Sequence, residues 1–215
     1  MEYNEIIREL RAEANPKNVE GMSRFGINPK NTLGVCVPKI RALAKKIGKN
    51  HGLAPKLWAS GIHEARLLAT MIEEPAKVTE AQMERWAKDF DSWGVCDQAC
   101  MNLFDKTPYA WKKAVAWTSR REEFVKRAGF ALMASLAVHD KKAEDGKFLK
   151  LLPLIVRESD DNRNFVKKAA NWALRQIGKR NGRLRKEAVK TAKLILRKDS
   201  PSARWIASDA LRELT

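Results

Sequence analysis

Helical periodicity runs along almost the whole chain and constrains the fold more than any other feature. Apolar residues first recur at i, i+3, i+4 and i+7 in Tyr3, Ile6, Ile7 and Leu10. Similar runs continue to residues 201–211, and proline, glycine, serine or threonine separates them. No stretch alternates apolar and polar residues as a half-buried strand would. We predict an all-α chain of about thirteen helices of roughly 8–17 residues. In the second half of the chain, the predicted helices include those over residues 122–138, 148–156, 162–177 and 184–196.

The short connections between these helices favour antiparallel helix pairs that stack side by side. No strict sequence period is present, so the repeat is degenerate, as in HEAT-like arrays. We therefore predict an α-α superhelix of HEAT-like helical repeats, a curved solenoid with a concave basic face, in preference to a globular helical bundle. We expect the 215 residues to form a single HEAT-like repeat domain over residues 1–215.

The composition excludes several classes of protein. Hydrophobic residues make up 44% and charged residues 32% of the chain, as in soluble globular proteins. No apolar run approaches the roughly 20 residues of a membrane helix, so we expect no membrane partner. The three cysteines, Cys36, Cys96 and Cys100, make no disulfide framework, and the three histidines are scattered at no metal-ligand spacing. We expect a cytoplasmic monomer with no metal and no cofactor.

The net charge of +16 is unevenly distributed. Residues 108–215 hold 26 Lys and Arg against 12 Asp and Glu, a net charge of +14, whereas residues 1–107 carry only +2. Between Arg163 and Lys198 there are 13 basic residues and one acidic residue, Glu187. An even surplus could serve solubility alone, but this asymmetry indicates a polyanionic partner.

A candidate site opens one predicted helix, in the stretch Asp91-Ser92-Trp93-Gly94-Val95-Cys96-Asp97. Asp91 or Ser92 can cap the free backbone N–H groups. Trp93 and Asp97 are four residues apart and therefore lie on one helix face. Asp97 falls between the apolar and polar arcs, where a carboxylate is partly desolvated but still reachable. By itself the stretch fits either a functional site or a capped helix with a core tryptophan and a surface aspartate.

Aromatic and basic residues meet on the predicted helix over residues 162–177. Its core stripe contains Val166 and Ala170, while Trp172 points roughly the other way, into a basic face. Either Trp172 covers a neighbouring helix, or it is a stacking platform beside phosphate-binding cations, which is the interpretation we favour. The predicted DNA-binding residues are Lys168, Arg175, Lys179, Arg180, Arg183 and Arg185.

Arg127 lies on the helix over residues 122–138, and its own face carries Ala131, Ala134 and Val138. Such small neighbours would leave the guanidinium accessible to grip a phosphate. The alternative, that Arg127 pairs with Glu123, remains open. Trp205 lies off the apolar side of the last helix, where it could pack against the chain end.

Three stretches carry a resemblance to a known family. They are Ser92-Trp93-Gly94-Val95-Cys96-Asp97, Phe124-Val125-Lys126-Arg127-Ala128, and Phe165-Val166-Lys167-Lys168-Ala169 continued by Trp172-Ala173-Leu174-Arg175. Their order and separation resemble those of the bacterial AlkD-type DNA alkylation repair proteins, which are alkylpurine DNA glycosylases built from HEAT-like repeats. The resemblance extends from Asn15-Pro16 to the helix containing Trp172 and is thinner after about Lys190.

The resemblance implies a catalytic cleft formed by Trp93, Asp97, Arg127 and Trp172. It implies a DNA repair glycosylase that hydrolyses the N-glycosidic bond of cationic N3- or N7-alkylated purines in duplex DNA, without strand cleavage. In this scheme Asp97 stabilises the oxocarbenium-like sugar and positions water. The partner would be double-stranded DNA containing alkylated purines, bound along the concave surface through its phosphates, and the cytoplasmic protein would be nucleoid-associated during repair.

Two positions depart from the family pattern. An acidic residue often follows the first tryptophan, and here that residue is Gly94; a tyrosine found in some members is Phe25. Both changes could alter the range of lesions. Two other functions fit the same sequence: a non-catalytic HEAT-repeat nucleic-acid-binding protein, and a HEAT-type protein-interaction scaffold with an acidic partner.

Overall fold

A computed structural model describes all residues, 1–215. The chain is all-α, as the periodicity predicts, with fourteen α-helices, three short 3-10 helices and no strand. No helix is both long enough and apolar enough to cross a membrane. The chain divides into two compact units, residues 1–107 and residues 108–215. The prediction of a single domain over residues 1–215 stays a prediction.

The first unit contains seven α-helices and two 3-10 helices. The α-helices are α1 (Tyr3–Ala12), α2 (Pro16–Arg24), α3 (Val37–Ile47), α4 (Ala54–Ala59), α5 (His63–Ile72), α6 (Glu80–Lys88) and α7 (Trp93–Asn102). The 3-10 helices are Pro75–Lys77 and Phe104–Lys106. Two starts follow the expected capping chemistry, since the side chains of Asn15 and Thr79 accept from the backbone N–H groups of Asn18 and Gln82.

Helix α5 is the centre of the first unit. It packs against α1, α3, α4 and α7, and nearly all of its residues are buried. One of them is the charged Glu64, whose carboxylate is fully buried. Its Oε1 accepts from the N–H groups of Gly34 at 2.7 Å and Val35 at 3.2 Å, and its Oε2 accepts from that of Leu33 at 2.9 Å. Glu64 thereby fixes the backbone of the loop between α2 and α3.

Gly34 is required in that loop for two reasons. Its φ is +81°, in the left-handed region that side chains rarely adopt, and a Cβ there would overlap the carbonyl oxygen of Asn15. The loop also touches the start of α5, where the His63 N–H donates to the Asn31 carbonyl at 2.9 Å. The loop between α2 and α3 is therefore held in place by hydrogen bonds to α5.

The second unit also contains seven α-helices. They are α8 (Ala110–Ala116), α9 (Glu123–His139), α10 (Asp145–Leu149), α11 (Leu152–Glu158), α12 (Asn164–Lys179), α13 (Gly182–Leu196) and α14 (Pro201–Leu214), with a 3-10 helix at Trp117–Ser119. The long helix α9 is buried over most of its length and packs against α8 and α12. Helices α12, α13 and α14 pack against one another.

Two expectations about helix ends were wrong. The helix predicted over residues 148–156 is two short helices, α10 and α11. Pro153 explains the break, because its ring has no N–H to continue the hydrogen bonds of α10, whereas it is tolerated in the first turn of α11, where it lies. At the start of α7, Ser92 is the N-cap residue, but neither its side chain nor that of Asp91 caps the helix. The Ser92 hydroxyl is buried without a hydrogen-bond partner.

Candidate active site and nucleic-acid interface

Trp93 and Asp97 lie on the first two turns of α7, and both side chains are half-buried. The other face of this helix, with Val95, Cys96 and Cys100, is buried in the first unit. Burial, together with a hydrogen bond that the Cys100 thiol donates to Cys96 and the charge of Asp97, raises the pKa of the Cys100 thiol well above its usual value. Cys96 and Cys100 are therefore packing residues on the buried face of α7. Trp93 and Asp97 lie on the partly exposed side of the same helix.

The indole of Trp93 is held by the turn that follows α2. Its Nε1 donates to the backbone carbonyl of Phe25 at 2.8 Å. The same turn is tied to the residue before the N-cap, since Asn28 Nδ2 donates to Asp91 Oδ2 at 3.3 Å. The Phe25 side chain itself is 75% exposed, which is unusual for a large apolar group. Phe25 thus fixes the indole of Trp93 through its backbone carbonyl, while its own side chain is exposed.

Sequence reasoning missed this arrangement. Phe25 and Trp93 are 68 positions apart, and the contact uses a backbone carbonyl, which no residue type signals. One signal in the sequence could have indicated it. Phe25 is an aromatic residue just before Gly26, at the end of α2, and no apolar neighbours in the sequence would bury its side chain.

Gly94 faces His63 and Ile27. A Cβ built on Gly94 would lie 3.2 Å from His63 Cε1 and 2.8 Å from Ile27 Cδ1. His63 is almost fully buried, and this burial lowers its pKa below the ordinary 6.5, although the carboxylates of Glu64 and Asp91 oppose the shift. A buried imidazole whose pKa is lowered therefore lies beside Gly94.

Replacing Gly94 by aspartate should raise the pKa of His63, because it adds a negative charge beside the ring. In the native protein, the lowered His63 pKa gives stability that is complete above pH 6.5 and declines as the pH falls toward that lowered pKa. The variant should lose less stability over that interval. NMR titration of the imidazole measures the shift directly.

Gly94→Asn is the matched control, since it has the same shape without the charge. In both variants the flexible end of Ile27 has to move. An equal His63 pKa in the Asp and Asn variants would show that position 94 does not act on the imidazole.

In the second unit, Trp172 lies on the exposed face of α12 and is half-buried. The opposite face, including Val166, Ala170 and Leu174, is fully buried, as the periodicity predicts. Lys168 is on the same exposed face, one turn earlier. The combination of a partly exposed indole and a lysine is what a stacking platform for a nucleotide requires.

Arg127 differs from the expectation of an accessible guanidinium. Its side chain is only 7% exposed, and its Nη1 donates to the Phe165 carbonyl at 2.6 Å. Small neighbours on a helix face do not leave an arginine exposed when another helix packs against that face, as α12 does here. The rings of Phe124 and Phe165, 5.5 Å apart, lie at the same helix pair.

The basic residues predicted to bind DNA fall into three groups. Arg175 and Lys179 both pair with Glu213 of α14, and Arg175 also lies 3.8 Å from Asp209. Arg180 has a structural role: its guanidinium donates to the carbonyls of Ala137 and Ala143 and covers the ring of Phe148 at 4.3 Å. Lys168, Arg183 and Arg185 are exposed, and none of them has an acidic partner. This last group is best placed to meet phosphates.

Trp205 of α14 contacts a lysine of α12. It is 39% exposed, and the Lys167 ammonium lies 5.5 Å from its ring centroid, a cation–π contact between α14 and α12. Two other tryptophans are ordinary packing residues, since Trp58 stacks on Trp86 with centroids 4.0 Å apart.

The boundary between the two units coincides with the change in charge. The first unit carries a net charge of +2 and the second a net charge of +14. The tryptophan–aspartate pair therefore belongs to a nearly neutral unit, while Trp172 and the exposed cations belong to a strongly basic one. A carboxylate beside an indole can stabilise a cationic group, and exposed arginines and lysines can hold phosphates.

The fold defines the class of protein. A solved structure from "a new family of proteins related to the HEAT-like repeat DNA glycosylases with affinity for branched DNA structures" matches with a TM-score of 0.81. The match covers 100% of this chain and 96% of that chain, at 21% sequence identity. An engineered protein with a TM-score of 0.42 (16% identity, covering 93% of this chain and 97% of that one) is much less similar. The chain has the HEAT-like helical repeat fold.

The sequence pattern of the DNA alkylation repair enzymes matches residues 6–214. No curated protein sequence matches. Because the family match spans nearly the whole chain, this protein belongs to the DNA alkylation repair enzyme family.

Proposed function

We propose that this protein is a DNA repair glycosylase that hydrolyses the N-glycosidic bond of cationic N3- or N7-alkylated purines in duplex DNA. The observation that carries the proposal is the pair of Trp93 and Asp97, both half-buried on the outer edge of α7, in a chain of the DNA alkylation repair enzyme family. Release of alkylated purines from globally methylated DNA tests it. Binding without release would contradict it.

The chemistry follows from the state of the substrate. Alkylation at N3 or N7 makes the purine cationic and therefore a good leaving group. As the bond to deoxyribose breaks, positive charge builds on the sugar, as in glycoside cleavage. An ionised Asp97 would stabilise that charge and orient the attacking water. Trp93 would contact the cationic nucleotide through its ring face. Since no amine nucleophile takes part, the base would leave without cleavage of the strand.

In this proposal the second unit supplies duplex binding. Trp172 would be the stacking platform, and Lys168 and Arg185 would contact phosphates. Arg175 and Lys179 would have to exchange Glu213 for a phosphate before they could contribute. Arg127, buried and bonded to the Phe165 carbonyl, would act by supporting the α9–α12 packing and the position of the Phe165 backbone.

Affinity for duplex DNA should fall steeply with salt. Binding through exposed cations releases counterions from the DNA, and roughly 4–8 phosphate contacts predict a slope of log K against log salt of about −4 to −7. Fluorescence anisotropy with an unmodified duplex between about 50 and 200 mM salt measures the slope. An affinity that does not change with salt concentration would show that the second unit does not bind DNA through its basic residues.

A second candidate function is non-catalytic binding of branched DNA. It is favoured by the similarity in fold to a protein whose own family has affinity for branched DNA, and by the departures at Gly94 and Phe25. A four-way junction and a duplex of equal length separate the candidates. Preference for the junction, combined with no release of methylated purines, would support this second function over the first.

A further inference from the structure

Helix α13 presents a straight row of cations to solvent. The row consists of Arg183, Lys186, Lys190, Lys193 and Arg197, all of them exposed. Successive members are three or four positions apart, so at 100° per residue they lie within about 80° of one another around the helix axis. The opposite face of α13 is buried, including Leu184, Ala188 and Ile195. We call these five residues the cation row.

Four of the five residues of the cation row have no acidic partner. Elsewhere in the second unit, several basic residues pair with acidic ones: Asp161 pairs with Lys126 and Arg163, and Glu213 with Arg175 and Lys179. The remaining pairs of this kind include Asp160–Lys198, Asp199–Arg204 and Asp209–Arg212. On the cation row only Lys190 has an acidic partner, Glu187, at 2.8 Å. Four cations without an acidic partner therefore lie along one face of a single helix.

The spacing of the cation row suits a phosphate backbone. With a rise of 1.5 Å per residue, the row is about 21 Å long and places a cation every ~4.5–6 Å. One strand of B-DNA carries a phosphate per ~3.4 Å of helix axis, so about six phosphates span the same length. Because the strand winds around the axis, a straight row faces only some of these phosphates, and five cations are enough to contact several of them.

A membrane surface fits less well. The helix has two exposed leucines, Leu194 and Leu196, but they lie on opposite sides of the cation row, about 160° apart around the axis. A helix that lies in a membrane interface needs one continuous apolar face opposite its basic face. The apolar face of α13 is already buried against α12 and α14.

We propose that the cation row is a second DNA-binding surface, which holds a sugar–phosphate backbone separately from the α12 face that carries Trp172 and Lys168. No member of the row forms a hydrogen bond or ion pair with α12. The proposal rests on the proposed function for its class of partner, DNA, but it adds a contact surface that catalysis does not need. Its consequence is that the protein can contact two DNA segments.

The test removes three charges from the row and keeps the helix. In the variant Arg183→Gln, Lys186→Gln, Lys193→Gln, the salt slope for an unmodified duplex should become shallower by about 2–3, since each lost phosphate contact removes ~0.9. The matched control is Lys141→Gln, Lys142→Gln, Lys150→Gln, which removes the same charge from three exposed lysines of the same unit. Its slope should change by less than about 1.

To test whether the cation row and the α12 face bind DNA independently, Lys168→Gln is added to the row variant. Independent surfaces predict additive losses of binding free energy in the combined variant. Equal slopes in the row variant and the control, or strong non-additivity with Lys168→Gln, would overturn the proposal. So would a row variant that keeps its DNA affinity but loses binding to phosphatidylglycerol vesicles. Because these readouts use unmodified DNA, failure of the glycosylase proposal is seen separately, as absence of base release.

Discussion

Replacing Asp97 with asparagine should reduce the release of 7-methylguanine and 3-methyladenine by at least about 100-fold, the usual cost of losing one electrostatic contact to a transition state. The amide keeps the shape of the side chain, which is half-buried on α7, but removes the negative charge that would stabilise the developing cation on the sugar. Single-turnover excision on globally methylated DNA measures the effect. Affinity for an unmodified duplex should stay within about threefold, since phosphates contact cations and not this carboxylate.

Asp91→Asn is the matched control for this experiment. It removes the same charge from an exposed residue that precedes the same helix, and the asparagine oxygen can still accept from Asn28. Its excision rate should equal that of the unsubstituted protein. Unchanged base release in Asp97→Asn would show that this residue has no catalytic role. Equal losses of base release in Asp97→Asn and Asp91→Asn would indicate a general effect of negative charge near Trp93.

Replacing Glu64 with glutamine should destabilise the protein by about 2–4 kcal/mol, the largest stability effect that we expect from a single polar substitution. The buried carboxylate accepts from three backbone N–H groups, those of Leu33, Gly34 and Val35. An amide has one oxygen, so its NH2 group would face at least one of these donors. That leaves buried donors without an acceptor. Urea unfolding measures the loss, and hydrogen exchange of the three amides locates it.

Glu20→Gln supplies the comparison. Glu20 is paired with Arg24 on the surface of α2, with both side chains more than two-thirds exposed. Its replacement should change the free energy of unfolding by less than about 0.5 kcal/mol. If Glu64→Gln were equally mild, the loop between α2 and α3 would have to be held by packing and not by the carboxylate.

Much of the fold could be predicted because helix periodicity is a local property. The runs around Ile6, Leu43 and Ile206 are buried faces of α1, α3 and α14, as their spacing predicts. The failures also have local causes. Pro153 splits one predicted helix, and Ser92 begins α7 without capping it, although a serine at that position normally would.

The candidate site was only partly predictable. The placement of Trp93 and Asp97 on one face follows from a four-residue spacing, which holds in any helix. The pairing of Trp93 with the Phe25 carbonyl, and the burial of His63 against Gly94, join residues that are distant in the sequence. No pattern of residue types specifies such contacts, since they depend on how α2, α5 and α7 pack.

The sequence by itself therefore determined the helical class, the faces of individual helices and the concentration of positive charge after residue 107. These properties depend on the order of neighbouring residues and on simple counting. Tertiary structure decided which cations are available. Arg175 and Lys179 are held by Glu213, and Arg180 by backbone carbonyls, whereas Arg183 is exposed with no acidic partner. An ion pair forms only where two helices bring opposite charges within a few ångströms, and that distance is set by packing.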